Sequence, residues 1–158
     1  LINKLLVVQT CGTTSILIAL FHDKKVEFGF RQFCKQHNVQ KVILPMPAMC
    51  EFISHDNIER FQFIKSKSKF VVTVDFDEKS AISTARLAEN YYANRLQIDK
   101  QKVKVDLQIL GTAIANKAHY ILTKDDDFRK YIERLGLSIG LKSIKDLLID
   151  DDLFINPT

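Results

Sequence analysis

The chain has 158 residues, 46% of them apolar and 27% charged, with a formal net charge of +4. That length and balance suit one globular domain spanning 1–158, long enough to bury a proper core. The apolar runs LLVV and ILIALF are far too short to cross a bilayer. Gln9, Thr10 and Gly12 also interrupt the amino end, so neither a membrane association nor a signal peptide is expected.

The sequence alternates short apolar runs with helical patterns. Strands are predicted at Leu5–Val8, Lys41–Leu44, Phe70–Val74, Tyr120–Thr123 and Leu137–Gly140, each rich in Val, Ile, Leu or aromatics and bounded by polar or turn residues. Helices are predicted at Ser15–Phe21, Glu27–Gln36, Ala48–Ile64 (with a break near His55), Glu78–Tyr92, Val105–Lys117, Phe128–Leu135 and Ser143–Ile149. Such alternation predicts an α/β protein, a three-layer α/β/α sandwich around a mostly parallel sheet of about five strands.

Cys11, Cys34 and Cys50 are odd in number, widely spaced and set among apolar residues. Buried, reduced thiols in a cytoplasmic protein are the expectation. The four histidines have no zinc-like spacing. All 23 Lys and Arg precede Asp146, so the body up to Lys145 sets 23 basic against 15 acidic side chains, a net of +8. A basic body favours a polyanionic partner. Two stretches concentrate the charge: KSKSK at 65–69 and NRLQIDKQKVK at 94–104.

Several acids stand where chemistry is usual. Glu51 follows LPMPAMC, in which Pro45 and Pro47 suit a strand exit and helix entry, and apolar residues flank it. Asp75 and Asp77, in VTVDFDEKS, form a strand-end DxD. A phosphatase nucleophile pair would be followed by small residues; here Glu78 and Lys79 follow, and Asp77 reads as a helix cap. Phosphate loops of the GxxxxGK[ST] and GxGxxG kinds are absent.

Asp106 shares a helix face with Leu110 and Ala113, the face that should pack inward. A lone carboxylate there costs several kcal/mol unless something positive meets it. The strand HYILT then delivers Asp125, Asp126 and Asp127 at its carboxyl end, where α/β proteins gather ligands. One of the three can cap the helix that follows, but three adjacent acids repel without a counter-ion. Acids converging from separate elements suggest a hard divalent cation such as Mg²⁺ or Mn²⁺.

The segments VILPMPAMCEFI, FDEKSAISTARLA, KVDLQILGTAIANKA and YILTKDDDF resemble, in order and spacing, those of PIN-domain proteins, the nuclease-like fold of VapBC-type toxins. The resemblance covers nearly the whole chain. It implies a metal-dependent ribonuclease with Glu51, Asp106 and Asp125 as metal ligands and catalytic residues. Asp127 joins them as an additional catalytic acid, and Thr123 is a polar neighbour. It also implies that Arg95, Lys100, Lys102 and Lys104 hold the RNA backbone, and that an antitoxin and a second copy of the chain are partners.

The family reads approximately D-T-S/N-x-L-I at its first helix, against T-T-S-I-L-I at 13–18 here. Aligned without a gap, Thr13 stands in place of the first aspartate, with Ser15 as a supporting polar residue. Aligned by the end of the first strand, Gln9 takes that place and Cys11–Thr14 becomes an insertion. The missing acid motivates the alternative: a degenerate PIN domain that binds RNA or a protein without cutting.

Overall fold

The computed structural model describes residues 4–8, 16–54, 57–67 and 69–147. Strands β1 (Lys4–Val8), β2 (Val39–Pro45), β3 (Val71–Val74), β4 (Tyr120–Leu122) and β5 (Gly140–Lys142) form a sheet in the order β3-β2-β1-β4-β5. Every neighbouring pair is parallel. Between the strands run α1 (Ile16–His22), α2 (Lys24–Gln36), α3 (Met46–Ile53), α4 (Asn57–Ser66), α5 (Glu78–Ala93), α6 (Lys100–Ala115) and α7 (Asp127–Leu135).

Val42, Ile43 and Leu44 are buried in succession on β2. Neighbouring strand residues point to opposite faces, so both faces of the sheet must be covered. Val42 and Leu44 join a cluster with Leu17, Phe30, Phe33 and Phe52 from α1, α2 and α3. Ile43 joins the other, with Leu87, Leu110 and Tyr131 from α5, α6 and α7. Ile121 and Leu122 on β4 divide between the clusters in the same way.

Because all strands run the same way, their carboxyl ends share one edge. The chain leaves central β1 for β2 and β3 on one side, then returns to β4 on the other. The reversal lies between β1 and β4, the place where open parallel sheets form a crevice.

Several boundaries differ from the sequence expectation for identifiable reasons. The pattern over Ala48–Ile64 is two helices, α3 and α4. His55 lies outside the described residues, and Arg60 ties the pair together by donating to the Phe52 carbonyl at 2.8 Å. Helix α6 begins at Lys100, not Val105, because Asp99 caps it by accepting from the backbone of Gln101 at 2.9 Å and Lys102 at 3.1 Å. The last strand is Gly140–Lys142, not Leu137–Gly140. Gly136 is left-handed (φ 61°) and the Leu137 N–H turns back to the Ile132 carbonyl, so Leu137 closes α7 instead of starting a strand. The expected Ser143–Ile149 helix is a 3-10 turn, Ile144–Asp146, within the described residues. Cys34 is buried and free as expected, whereas Cys50 is free but exposed. Helix α3 buries Ala48 and Phe52, one turn apart, and Cys50 falls between them on the outer side.

Candidate active site

Asp106 owes its position to the way α6 is clamped. Gly111 lies so close to α5 that an added methyl would stand 2.0 Å from Thr84 Oγ1 and 2.8 Å from the Thr84 backbone nitrogen. Thr84 in turn donates to the Leu107 carbonyl at 3.3 Å. Val103, Leu107, Leu110 and Ala113 fill the core, and Asp106 is fully buried among them. The expectation from helical periodicity holds for Asp106, Leu110 and Ala113 alike.

The turn after β4 is built from its own side chains. Thr123, itself buried, accepts the Asp125 N–H at 2.9 Å, and Asp125 Oδ1 accepts the Asp127 N–H at 2.9 Å. This relay of side chain to backbone two residues on is the turn habit of Thr and Asp. It leaves Asp125 Oδ2 and the Asp127 carboxylate free to point elsewhere. Asp126 sits at the N-cap position without a side-chain cap bond and is exposed.

Three carboxylates meet at one ammonium. Lys102 Nζ lies 2.5 Å from Asp127 Oδ2, 2.7 Å from Asp125 Oδ2 and 3.3 Å from Asp106 Oδ2. Asp127 Oδ1 also pairs with Lys130 at 2.7 Å. The Tyr131 hydroxyl, buried between Tyr91 and Phe128, donates to Asp106 Oδ2 at 3.1 Å. Asp106 Oδ1 is buried with no hydrogen-bond partner.

The electrostatics follow from these contacts. Burial raises the Asp106 carboxyl to about 6; Lys102 and the Tyr131 hydroxyl pull the other way without overcoming it. Burial alone would lower the Lys102 ammonium, yet the hydrogen bonds it donates to Asp125 and Asp127 prevail and hold it raised. Hydrogen bonds from Lys102 and then Lys130 hold Asp127 below the usual carboxylate range.

Not every sequence candidate joins this cluster. Glu51 is half-buried on α3, which leaves the carboxyl end of β2 and touches α6, but it is not among the acids that meet at Lys102. Thr13 and Ser15 lie outside the described residues. Arg95, Lys100 and Lys104 are exposed, Arg95 with its guanidinium 4.9 Å over the Tyr92 ring. Lys102 departs from the expectation that set it among RNA-backbone contacts: it turns inward, one helical turn from Asp106, and is spent on acids. Asp77 caps α5 by accepting the Ser80 N–H at 2.9 Å, as the DxD reading expected.

Sequence reasoning missed Tyr131 and assigned Lys102 elsewhere. Both had a signal. Tyr131 follows Phe128 by three on an apolar helix face, and a buried tyrosine needs a partner for its hydroxyl. Lys102 precedes Asp106 by four on the same helix, the natural spacing for an ion pair.

Among the described residues no group of three or more His, Cys, Asp and Glu side chains is placed, as it stands, to hold a metal ion. The ammonium fills the gap between the aspartates instead. The donors are nonetheless all hard oxygens, and the orphaned Asp106 Oδ1 is a buried donor in want of a partner, so their chemistry suits Mg²⁺ or Mn²⁺.

No family model matches the sequence, and no curated protein matches it. Solved structures do. The chain is similar to one in VapBC2 from Rickettsia felis bound to a DNA fragment from their promoter, with a TM-score of 0.62 and 15% identity over 89% of this chain and 98% of that one. It is similar to one in DNA-bound VapBC from Salmonella typhimurium, with a TM-score of 0.59 and 11% identity over 90% and 99%. VapBC-1 from nontypeable Haemophilus influenzae gives a TM-score of 0.62 and 13% identity over 91% and 99%. The fold is PIN-like. At such identities the likeness is one of fold alone, and it spans 98–99% of each neighbouring chain. Among the described residues, no helix is long and apolar enough to cross a membrane.

Proposed function

We propose that this protein hydrolyses RNA phosphodiester bonds with Mg²⁺ or Mn²⁺ at the Asp106, Asp125 and Asp127 cleft, as the toxin of a toxin–antitoxin pair. The observation that carries the reading is the convergence of three carboxylates, from α6 and from the turn after β4, beside the β1/β4 crevice of a VapBC-like fold. Asp106 and Asp125 would hold the metal, with Glu51 completing the set from α3 and Asp127 assisting. When bound, the metal lowers the pKa of a water and offsets charge developing on phosphate.

The chain's own residues do the rest. Tyr131 orients Asp106 by its hydrogen bond, and Thr123 fixes the backbone that presents Asp125. Arg95, Lys100 and Lys104 face solvent near the start of α6, where they would hold the RNA backbone without reading its sequence. Thr13 and Ser15 would supply polar oxygens where the family has its first acid. The reading further takes 1–158 as one cytoplasmic domain, an α/β/α sandwich, with an antitoxin and a second copy of the chain as partners. Cleavage of single-stranded and structured RNA with Mn²⁺, Mg²⁺ or chelator tests it. Cleavage should require the metal; cleavage that persists in chelator would sink it.

A second reading has its own observations: no acid at Thr13 or Gln9, and a lysine that already pairs with the acids of the cluster. On that reading the domain binds RNA or a protein without cutting. Restoring the acid as Thr13→Asp or Gln9→Asp decides between them. A large gain in nuclease activity favours the degenerate site, whereas full activity in the natural chain rejects it.

A further inference from the structure

We infer that Lys102 is a built-in plug of the acid cleft: its ammonium occupies the point where Asp106, Asp125 and Asp127 converge, and a divalent cation enters only when Lys102 leaves. The inference rests on the metal-dependent reading above and adds to it a control of access by the chain's own side chain.

The geometry states the competition. One nitrogen touches three carboxylates from two separate elements, at 2.5, 2.7 and 3.3 Å. Mg²⁺ draws oxygens to about 2.0–2.1 Å, so the same carboxylates cannot serve both cations at one point. A doubly charged ion beside a retained ammonium would also meet strong repulsion inside a poorly solvated cleft. The ammonium satisfies only one oxygen of the buried acid, since Asp106 Oδ1 keeps no partner. The plug thus leaves a donor that only a further group can use.

The fold determines which part of the plug can move. The Asp99 cap holds the Lys102 backbone N–H at 3.1 Å and α6 is packed against α5, so the helix stays in place. The side chain is different: it is 27% exposed and carries four rotatable carbons between the backbone and its charge. It can swing to solvent without disturbing the core. Asp127 keeps a second cation, Lys130, at 2.7 Å when Lys102 departs.

The test titrates Mn²⁺ into metal-stripped protein, read by calorimetry and thermal melts, for the wild type, Lys102→Met and a charge-matched control, Lys35→Met on the exposed face of α2. Lys102→Met should bind Mn²⁺ at least tenfold more tightly than wild type, melt lower without metal and recover more on adding it. Equal or weaker binding than wild type would overturn the plug while leaving the metal reading intact. No binding by either protein would overturn both. A second measurement needs no variant: acylation of Lys102 in the wild type, followed by mass spectrometry. It should be slow without metal and accelerate at saturating Mn²⁺. An unchanged rate in protein that binds Mn²⁺ would overturn the plug.

Discussion

The hydroxyl of Tyr131 lies 3.1 Å from Asp106 Oδ2, joining two fully buried residues that are 25 positions apart. Among the described residues it is the one neutral donor to that oxygen, the other partner being the Lys102 ammonium. Removing it strips a buried carboxylate of half its support. Tyr131→Phe should therefore cost about 1–3 kcal/mol of stability and push the Asp106 carboxyl further up. Denaturant melts together with an NMR titration of Asp106 check both. An unchanged stability and an unchanged titration would contradict the role.

Asp106 also predicts a direction with pH. In metal-free protein its carboxyl is raised from 3.8 to about 6. A raised acid favours the protonated folded state, so it costs nothing below the unfolded value. The cost grows as pH rises through the folded value, reaching roughly 3 kcal/mol above it. Asp127, held low by Lys102 and Lys130, contributes with the opposite sign: its stabilisation is present above the ordinary carboxylate range and lost as pH falls through its lowered value. Asp106→Asn should gain stability relative to wild type as pH rises from 4 to 7, in chelator. A stability difference independent of pH would contradict the burial argument.

The α5–α6 contact predicts a packing effect remote from the charges. Gly111→Ala places a methyl against Thr84 and should cost about 1–3 kcal/mol by overpacking. Adding Thr84→Ala should recover only part, because the backbone nitrogen of residue 84 stands 2.8 Å from the new methyl as well. Full recovery in urea melts would mean that the side chain alone sets the approach.

Much of this arrangement was legible in the residues. The runs expected as strands at Leu5–Val8, Lys41–Leu44, Phe70–Val74 and Tyr120–Thr123 each hold one, and the helical repeat put Asp106 on the buried face. The resemblance through YILTKDDDF implied Thr123, Asp125 and Asp127 as neighbours, and the three share a turn that holds itself by side-chain to backbone bonds. What failed was competition at element ends. Asp99 extends α6 back through Lys100, and Gly136 spends Leu137 on closing α7, both local caps that override an apolar pattern. The counter-ion failed for a different reason. A lysine in a basic stretch reads as surface charge, and only the shared helix face of Lys102 and Asp106 turns it inward. Glu51 matched a family position by order along the chain, but order does not bring its carboxylate to Lys102.

If Asp106 and its neighbours form the proposed metal-dependent centre, RNA cleavage must depend on the Asp106 carboxylate. The most direct measurement compares RNA cleavage by wild type and Asp106→Asn at saturating Mn²⁺, with folding of both verified by circular dichroism. Even residues that merely support a metal ligand cost about 10–100-fold when changed, so loss of the ligand itself should lower the rate by on the order of 100-fold or more. Cleavage by Asp106→Asn at the wild-type rate would contradict that role.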